Sequence, residues 1–189
     1  MPTPERTSLD QIVAAARGIL ESEGLARLTM QAVADRVGVR APSLYKRVRS
    51  RDDLIGLVTE ATILDLGERI RALDGSTDAR ADLATLARVF RAFAHEHPAG
   101  YRLIFGWGPD AGQPRQDAFA SASAPLLRIA ERLAGPEHAL SAARTITAWA
   151  TGFVSMELAG AFRLGGSVDD AFDYGIAHLA AAFDRAEVA

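Results

Sequence analysis

Apolar residues recur every three or four positions along most of this chain, which is the period of an amphipathic helix. The first such segment follows Ser8, a residue type that caps helix starts, and is closed by Gly24, which tolerates a positive φ angle. No segment alternates apolar and polar residues with the period of two that is typical of strands. The pattern therefore predicts an all-α chain of about nine helices.

Glycine, proline and capping residues indicate where these helices begin and end. The predicted helices span residues 9–23, 30–37, 41–48 and 51–73, a fifth that stops at Pro98, a short sixth around Tyr101 to Phe105, a seventh to about Leu133, an eighth from Pro136 to about Leu164, and a ninth after Ser167. Gly106 to Pro114 holds three glycines and two prolines and is predicted to be a loop.

The second and third helices are short and are separated only by the turn at Gly38, which is the spacing of a helix-turn-helix. Leu44 and Val48 lie four residues apart, so they face the same way and are expected to pack on Val33, Val37 and Ile19. The remaining side chains of the third helix form what we call its outward surface: Arg40, Ala41, Ser43, Tyr45, Lys46 and Arg47.

Charge is distributed unevenly along the chain. Six basic side chains and no acidic one lie between Arg36 and Arg51, although the whole chain carries a net charge of -3. One α-helix fits into the major groove of duplex DNA, so a basic outward surface on a short helix indicates a DNA-binding element. The alternative is that these arginines are ordinary solvated surface residues.

Position on the third helix suggests a different task for each polar side chain. Arg40, at the N-terminal end, is the best candidate for reading base edges, because a guanidinium can donate twice to guanine. The other candidates are expected to bind phosphates, which supply affinity without sequence information. These phosphate-binding candidates are Thr29, Ser43, Tyr45, Lys46 and Arg51.

Residues 9–64 resemble the DNA-binding domain of the TetR family of transcriptional regulators. The resemblance rests on Leu28-Thr29-Met30, Val33-Ala34, Val37-Gly38-Val39, Pro42-Ser43-Leu44-Tyr45 and Ser50-Arg51-Asp52-Asp53-Leu54. It implies that the third helix is the recognition helix and that the phosphate-binding candidates contact the DNA backbone. Val48 stands where an aromatic residue is frequent and Arg47 where a small or histidine side chain is, so the operator sequence does not follow from the resemblance.

The C-terminal part resembles, more loosely, the TetR subgroup whose regulatory domain is named for a Trp-His-Gly signature. The matching residues are Phe93-Ala94-His95-Glu96-His97-Pro98 with Tyr101, and Trp149 to Gly160; the signature histidine is replaced, since Thr151 precedes Gly152. This resemblance implies a domain that binds small molecules between its helices and forms a homodimer through its last two helices.

Aromatic and soft apolar side chains in this C-terminal part could line an apolar ligand pocket. These candidates are Phe90, Phe93, Tyr101, Phe105, Trp107, Trp149, Phe153 and Met156. Packing in the core is the alternative for each of them. Glu157 lies in an apolar helical stretch and is the candidate polar anchor, although a bond to a neighbouring helix or to the dimer mate would equally satisfy a buried carboxylate.

The sequence contains few features of an enzyme or of a metal-binding protein. The chain has no glycine-rich phosphate loop, nucleophile elbow or His-Glu-x-x-His motif, and no cysteine. His95 and His97 lie two apart on a helix and so face different directions. No apolar run is long enough to cross a bilayer, and the N-terminus lacks the apolar run of a secretion signal. We therefore expect a cytoplasmic protein that is not an enzyme and needs no cofactor.

Taken together, these patterns predict a helix-turn-helix DNA-binding domain in residues 1–53 and a helical ligand-binding and dimerisation domain in residues 54–189. The expected function is that of a homodimeric repressor that binds a near-palindromic operator and is released by a small hydrophobic effector. Two alternatives remain. One is a regulator or architectural DNA-binding protein without an effector, and the other is a ligand-binding or catalytic helical protein whose N-terminal domain has lost its DNA affinity.

Overall fold

The computed structural model describes residues 7–73, 75–105 and 116–183, and all the regular structure in these ranges is helical. The predicted all-α class is confirmed. The α-helices in the described ranges are α1 (Leu9–Glu23), α2 (Met30–Val37), α3 (Ala41–Leu44), α4 (Arg51–Arg71), α5 (Ala79–Glu96), α6 (Pro98–Phe105), α7 (Gln116–Ala134), α8 (Ala139–Leu158) and α9 (Val168–Phe183), with one 3-10 turn at Leu25–Arg27. The loop predicted from Gly106 to Pro114 lies outside the described residues.

The helix starts and ends of the N-terminal part follow from local hydrogen bonding. The Ser8 hydroxyl accepts from the Gln11 N–H at 3.1 Å, and the Gln11 side chain accepts from the Ser8 N–H at 3.0 Å, which is a reciprocal capping box. Thr29 caps α2 with its hydroxyl oxygen, which accepts from the Ala32 N–H at 3.1 Å. At the other end of α2, Gly38 adopts a φ of 73°, a conformation that favours glycine, and this turn directs the chain into α3.

Two helices are shorter than the sequence predicts. The α-helical part of α3 ends at Leu44, because the chain tightens there: the Arg47 N–H donates to the Leu44 carbonyl at 2.8 Å, an i to i−3 bond. Helix α8 ends at Leu158, not near Leu164. Gly160, at a φ of 63°, ends the helix. Two hydrogen bonds close this end: the Gly160 N–H donates to the Glu157 carbonyl, and the Ala161 N–H donates to the Met156 carbonyl.

The chain divides into two compact units. The first comprises residues 1–65 and 97–119, and the second comprises residues 66–96 and 120–189. The division falls inside α4, after Asp65, and the first unit also takes in α6. Residues of α4 and α6 therefore complete the core of this first unit, which we call the head. Leu54, Val58 and Leu103 belong to the same buried cluster as Val33 and Leu44. The predicted domains, residues 1–53 and 54–189, stay a prediction.

In the second unit, α5, α8 and α9 pack against one another. Phe93 of α5 and Phe172 of α9 are both fully buried. Helix α9 approaches α8 so closely that a Cβ atom on Gly175 would lie 2.2 Å from the Trp149 ring. Glycine is therefore required at this position for the two helices to pack as they do.

Candidate nucleic-acid interface and ligand region

Helix α3 is held on the head by two buried side chains. Leu44 is 1% exposed and Val48 is fully buried, and both belong to the cluster that contains Val33 and Ile19, with Val37 partly buried against it. The predicted inner face of this segment is confirmed. The same geometry leaves Arg40, Ser43, Tyr45, Lys46 and Arg47 exposed and Ala41 half-buried.

An open groove runs along the outward surface of α3, lined by residues that include Gly38, Arg40, Ser43, Lys46 and Arg47. Arg40 is the N-cap residue of α3 and makes no side-chain capping bond. Arg40 and Lys46 form no ion pair with any other residue in the described ranges. Positive charge is thus presented to solvent at both ends of the short helix.

The other basic residues of this stretch contact the protein itself. Arg36 pairs with Glu23 at 3.1 Å, and Arg49 lies 4.0 Å from Asp53. The Arg51 guanidinium donates to the carbonyls of Leu28 and Leu25, at 2.8 and 2.7 Å. Two of its five N–H donors therefore hold the turn before α2, and three remain for the phosphate that the sequence assigned to it.

Thr29 is exposed at the N-terminus of α2, where its hydroxyl oxygen accepts from the backbone. A hydroxyl that accepts one hydrogen bond still has its own O–H to donate. The contacts with DNA predicted for Thr29, Arg40, Ala41, Ser43, Tyr45, Lys46, Arg47 and Arg51 stay predictions, and the structure shows which of these side chains are exposed.

The candidate ligand-contacting residues are divided between the two compact units. Tyr101 and Phe105 belong to the first compact unit, where their ring centroids are 5.1 Å apart. Phe90 and Phe93 are buried in the second unit, and Met156 is half exposed. Trp107 lies outside the described residues. The ligand contacts predicted for all of these residues stay predictions.

Trp149 and Phe153, two further candidates, pack in the second unit against Phe172, a buried residue of α9. Ring centroids lie 5.3 Å apart for Trp149 and Phe172 and 5.2 Å apart for Phe153 and Phe172. This aromatic cluster fills the space between α8 and α9, as the packing alternative requires.

Glu157 has its partner within the protomer. Arg91 of α5 donates from Nε to Oε2 at 2.8 Å and from Nη2 to Oε1 at 2.5 Å, and His95 lies 3.2 Å from the same carboxylate. The hydrogen bond from Arg91 holds the pKa of Glu157 below its ordinary value, against the opposing effect of burial. The structure therefore shows Glu157 bonded to a neighbouring helix, which was one of the alternatives to a ligand contact.

A cavity of about 330 Å³ lies in the second unit, lined by the end of α4, the start of α5 and α7. We call it the α4–α5–α7 cavity. None of its lining residues was a sequence candidate, because its charged side chains come from positions far apart in the chain: Asp82 pairs with Arg132 at 2.6 Å. No local motif marks such a pairing.

Within the described residues, no group of three or more His, Asp or Glu side chains could hold a metal ion. None of the helices described is both long and apolar enough to cross a bilayer.

Two family models match the sequence. Residues 12–58 match the model for bacterial regulatory proteins of the tetR family, and residues 83–179 match the model for the tetracyclin repressor-like C-terminal domain. The second match does not confirm the looser resemblance to the Trp-His-Gly subgroup.

Similar proteins include other regulators. An HTH-type transcriptional regulator of Mycobacterium tuberculosis is 31% identical over 160 residues, which are 83% of this chain and 73% of that protein. The class E tetracycline repressor protein of Escherichia coli is 30% identical over 154 residues, covering 82% of this chain and 70% of the repressor.

Among solved structures, a variant of TetR from Acinetobacter baumannii AYE in complex with minocycline has the same fold. The TM-score is 0.73 with 24% sequence identity, and the alignment covers 97% of this chain and 99% of that one. The N-terminal match coincides with the head that exposes the basic surface of α3. The chain belongs to the TetR family, and it is a DNA-binding transcriptional regulator.

Proposed function

We propose that this protein is a homodimeric repressor that binds a near-palindromic operator through α3 and is released by a small effector bound in the second unit. The observation that carries the proposal is the exposed, basic outward surface of α3, fixed on a buried core by Leu44 and Val48. A rigid mount matters, because the register of a recognition helix in the groove decides which bases it meets.

Within this surface, Arg40 reads base edges and the residues around it hold phosphates. Arg40 stands at the N-terminal end of α3, the end that points to base edges in helix-turn-helix complexes. Ser43, Tyr45 and Lys46 are exposed on the following turn, and Tyr45 has 54% of its surface exposed. Genomic DNA is the partner, so we place the protein in the cytoplasm and assign it no catalytic step.

Helices α8 and α9 supply the dimer interface in this proposal. Their exposed positions include large apolar side chains, with Leu140 53% and Tyr174 65% exposed, and small ones such as Ala148, Gly152 and Ala177. Small residues on a helix surface let a second helix approach closely, and exposed apolar area favours burial against a partner. A stable dimer needs about 800 Å² buried on each copy.

Helix α4 connects operator binding to effector binding. A dimer fits its operator only when its two recognition helices lie about 34 Å apart, or a multiple of that spacing. The first half of α4 contributes Leu54 and Val58 to the core of the head, and its last turn contributes Ile70 and Arg71 to the α4–α5–α7 cavity. An effector that binds more tightly to the non-fitting arrangement shifts the population away from the operator.

The roles assigned to α3 are tested with DNA fragments selected from the genome that encodes the protein. Lys46→Ala is expected to weaken binding to every sequence and to reduce the slope of log affinity against log salt by about 0.9 for each phosphate that is no longer bound. Arg40→Ala is expected to reduce the preference for the selected site as well, by about 1–3 kcal/mol.

The matched control is Arg88→Ala. This variant removes the same charge from an exposed ion pair in the second unit, so it should leave the slope and the preference unchanged. Equal losses on all sequences for Arg40→Ala and Lys46→Ala would refute the division of roles. Failure of the unaltered protein to bind any fragment at low salt would refute the proposal that it binds an operator through α3.

A further inference from the structure

The α4–α5–α7 cavity has an apolar wall and a charged rim. Ile70 and Leu86 are nearly buried, and Pro125 and Ile129 of α7 complete the wall with Leu73. Pro125 lies inside α7, where proline removes one helical hydrogen bond and is ordinarily avoided at a cost of about 3 kcal/mol. Its ring carbons face this cavity, so the wall is apolar there as well.

In the part of the chain that the structure describes, the charged rim consists of three arginines and one aspartate: Arg71, Arg128, Arg132 and Asp82. Asp82 is satisfied by its own neighbours, since Arg132 lies 2.6 Å from Oδ2 and the Ser76 N–H donates to Oδ1 at 2.9 Å. Arg132 also donates to the Ser76 carbonyl at 2.9 Å. The Asp82–Arg132 ion pair therefore lines one side of the cavity, and its two opposite charges cancel each other.

Two positive charges remain on the rim, from Arg71 and Arg128. Neither side chain forms a hydrogen bond or an ion pair with another residue of the described ranges, and both are exposed. An arginine fork is suited to bind a carboxylate through two parallel hydrogen bonds. The rim is thus complementary to an anionic group, and the wall is complementary to an aliphatic body.

We infer that the α4–α5–α7 cavity binds a small amphipathic carboxylate, with its aliphatic part against Ile70, Leu86 and Pro125 and its head group between Arg71 and Arg128. An apolar cavity of roughly 150 Å³ is large enough to bind benzene, so the cavity of about 330 Å³ has room for a longer aliphatic ligand. This size matches a medium-chain acid such as octanoate. The inference rests on the proposed function in one respect: it gives the proposed effector a binding site and a chemical class.

Binding is measured by isothermal titration of the full chain without DNA, using octanoate as the probe. Octanoate is expected to bind saturably, with one molecule per chain, whereas acetate lacks the aliphatic body and octylamine carries the wrong charge. Arg71→Gln and Arg128→Gln are each expected to weaken octanoate binding about tenfold, because each removes one charge-assisted hydrogen bond.

Both substitutions are at exposed positions, so the variants should fold, and Arg88→Gln on α5 is the matched control. The inference is overturned if octanoate does not saturate one site, if octylamine binds equally well, or if Arg71→Gln and Arg128→Gln behave like the control. It is supported if both substitutions weaken binding and the control does not.

A second measurement separates this site from the proposed function. Operator affinity is determined with and without saturating octanoate. Arginine-dependent octanoate binding that leaves operator affinity unchanged would support the site and refute its part in release. Loss of operator affinity in the unaltered protein, but not in Arg128→Gln at the same octanoate concentration, would support both.

Discussion

Replacing Glu157 by alanine tests whether this carboxylate stabilises the second unit or serves a ligand. Its two oxygens accept from Arg91, which also lies 2.7 Å from Asp169 and 5.0 Å from the centroid of the Phe172 ring. Three helices, α5, α8 and α9, therefore meet at this guanidinium. A structural role predicts that Glu157→Ala lowers the free energy of unfolding even when no ligand is present.

The burial of the pair sets the expected magnitude. The side chains of Arg91 and Glu157 are 17% and 13% exposed. Removing one partner of a fully buried pair costs about 3–5 kcal/mol, whereas an exposed pair contributes about 0.2–1 kcal/mol. Arg91 keeps Asp169 as a partner after the substitution, which lowers the cost. We therefore expect Glu157→Ala to reduce the free energy of unfolding by about 2–3 kcal/mol.

A double-mutant cycle isolates the interaction. The free energy of urea unfolding is measured by circular dichroism for Arg91→Ala, Glu157→Ala, the double variant and the unaltered protein. Arg88 and Asp173, an ion pair that joins α5 to α9 and is about half exposed, give a matched control cycle with a coupling below about 0.5 kcal/mol. A coupling for Arg91 and Glu157 no larger than in the control cycle would refute the reasoning from burial.

Three further outcomes follow from the same geometry. Gly152→Arg should turn the proposed dimer into monomers in sedimentation, because Gly152 is exposed on α8 and the added side chain would extend into the proposed interface without contacting its own protomer near the Cβ. Gly152→Ala should remain dimeric, and a dimeric arginine variant would contradict pairing through α8. Leu44→Ala should lower the free energy of unfolding of the head by about 2–5 kcal/mol in thermal denaturation, and an unchanged stability would mean that Leu44 does not hold α3. Hydrogen bonds from Arg132 and Arg91 hold the carboxyl pKa values of Asp82 and Glu157 below their ordinary values in the folded chain, so both groups stabilise it fully above the ordinary carboxyl pKa values and lose that contribution as the pH falls through the lowered ones. Glu157→Gln should reduce this acid dependence of the free energy of unfolding, and a profile identical to that of the unaltered protein would contradict the stabilisation by Glu157.

The head was predictable because its determinants are local. Ser8, Thr29 and Gly38 set helix ends through hydrogen bonds to residues three to five positions away, and these bonds are found in the structure. The spacing of Leu44 and Val48 likewise indicated which side of α3 faces the core. The end of α8 was placed too late, because Gly160 alone ends the helix before the glycine pair at Gly165.

The second unit was less predictable because its polar contacts join distant positions. The partner of Glu157 is 66 residues away, and the partner of Arg132 is 50 residues away. Periodicity identifies a helical face, but it does not indicate which side chain lies opposite on another helix. For the same reason, the aromatic candidates could be named as apolar and still not be sorted into core and ligand contacts.

Residue types and their spacing along the chain thus determined the helical class, the helix-turn-helix and the basic side of α3, since capping, helical period and local charge act within a few positions. Only the tertiary structure decided that Arg51 holds the turn before α2, that Glu157 binds Arg91, and that Arg71 and Arg128 share the rim of one cavity. These contacts depend on how helices pack, which places residues together irrespective of their separation in sequence.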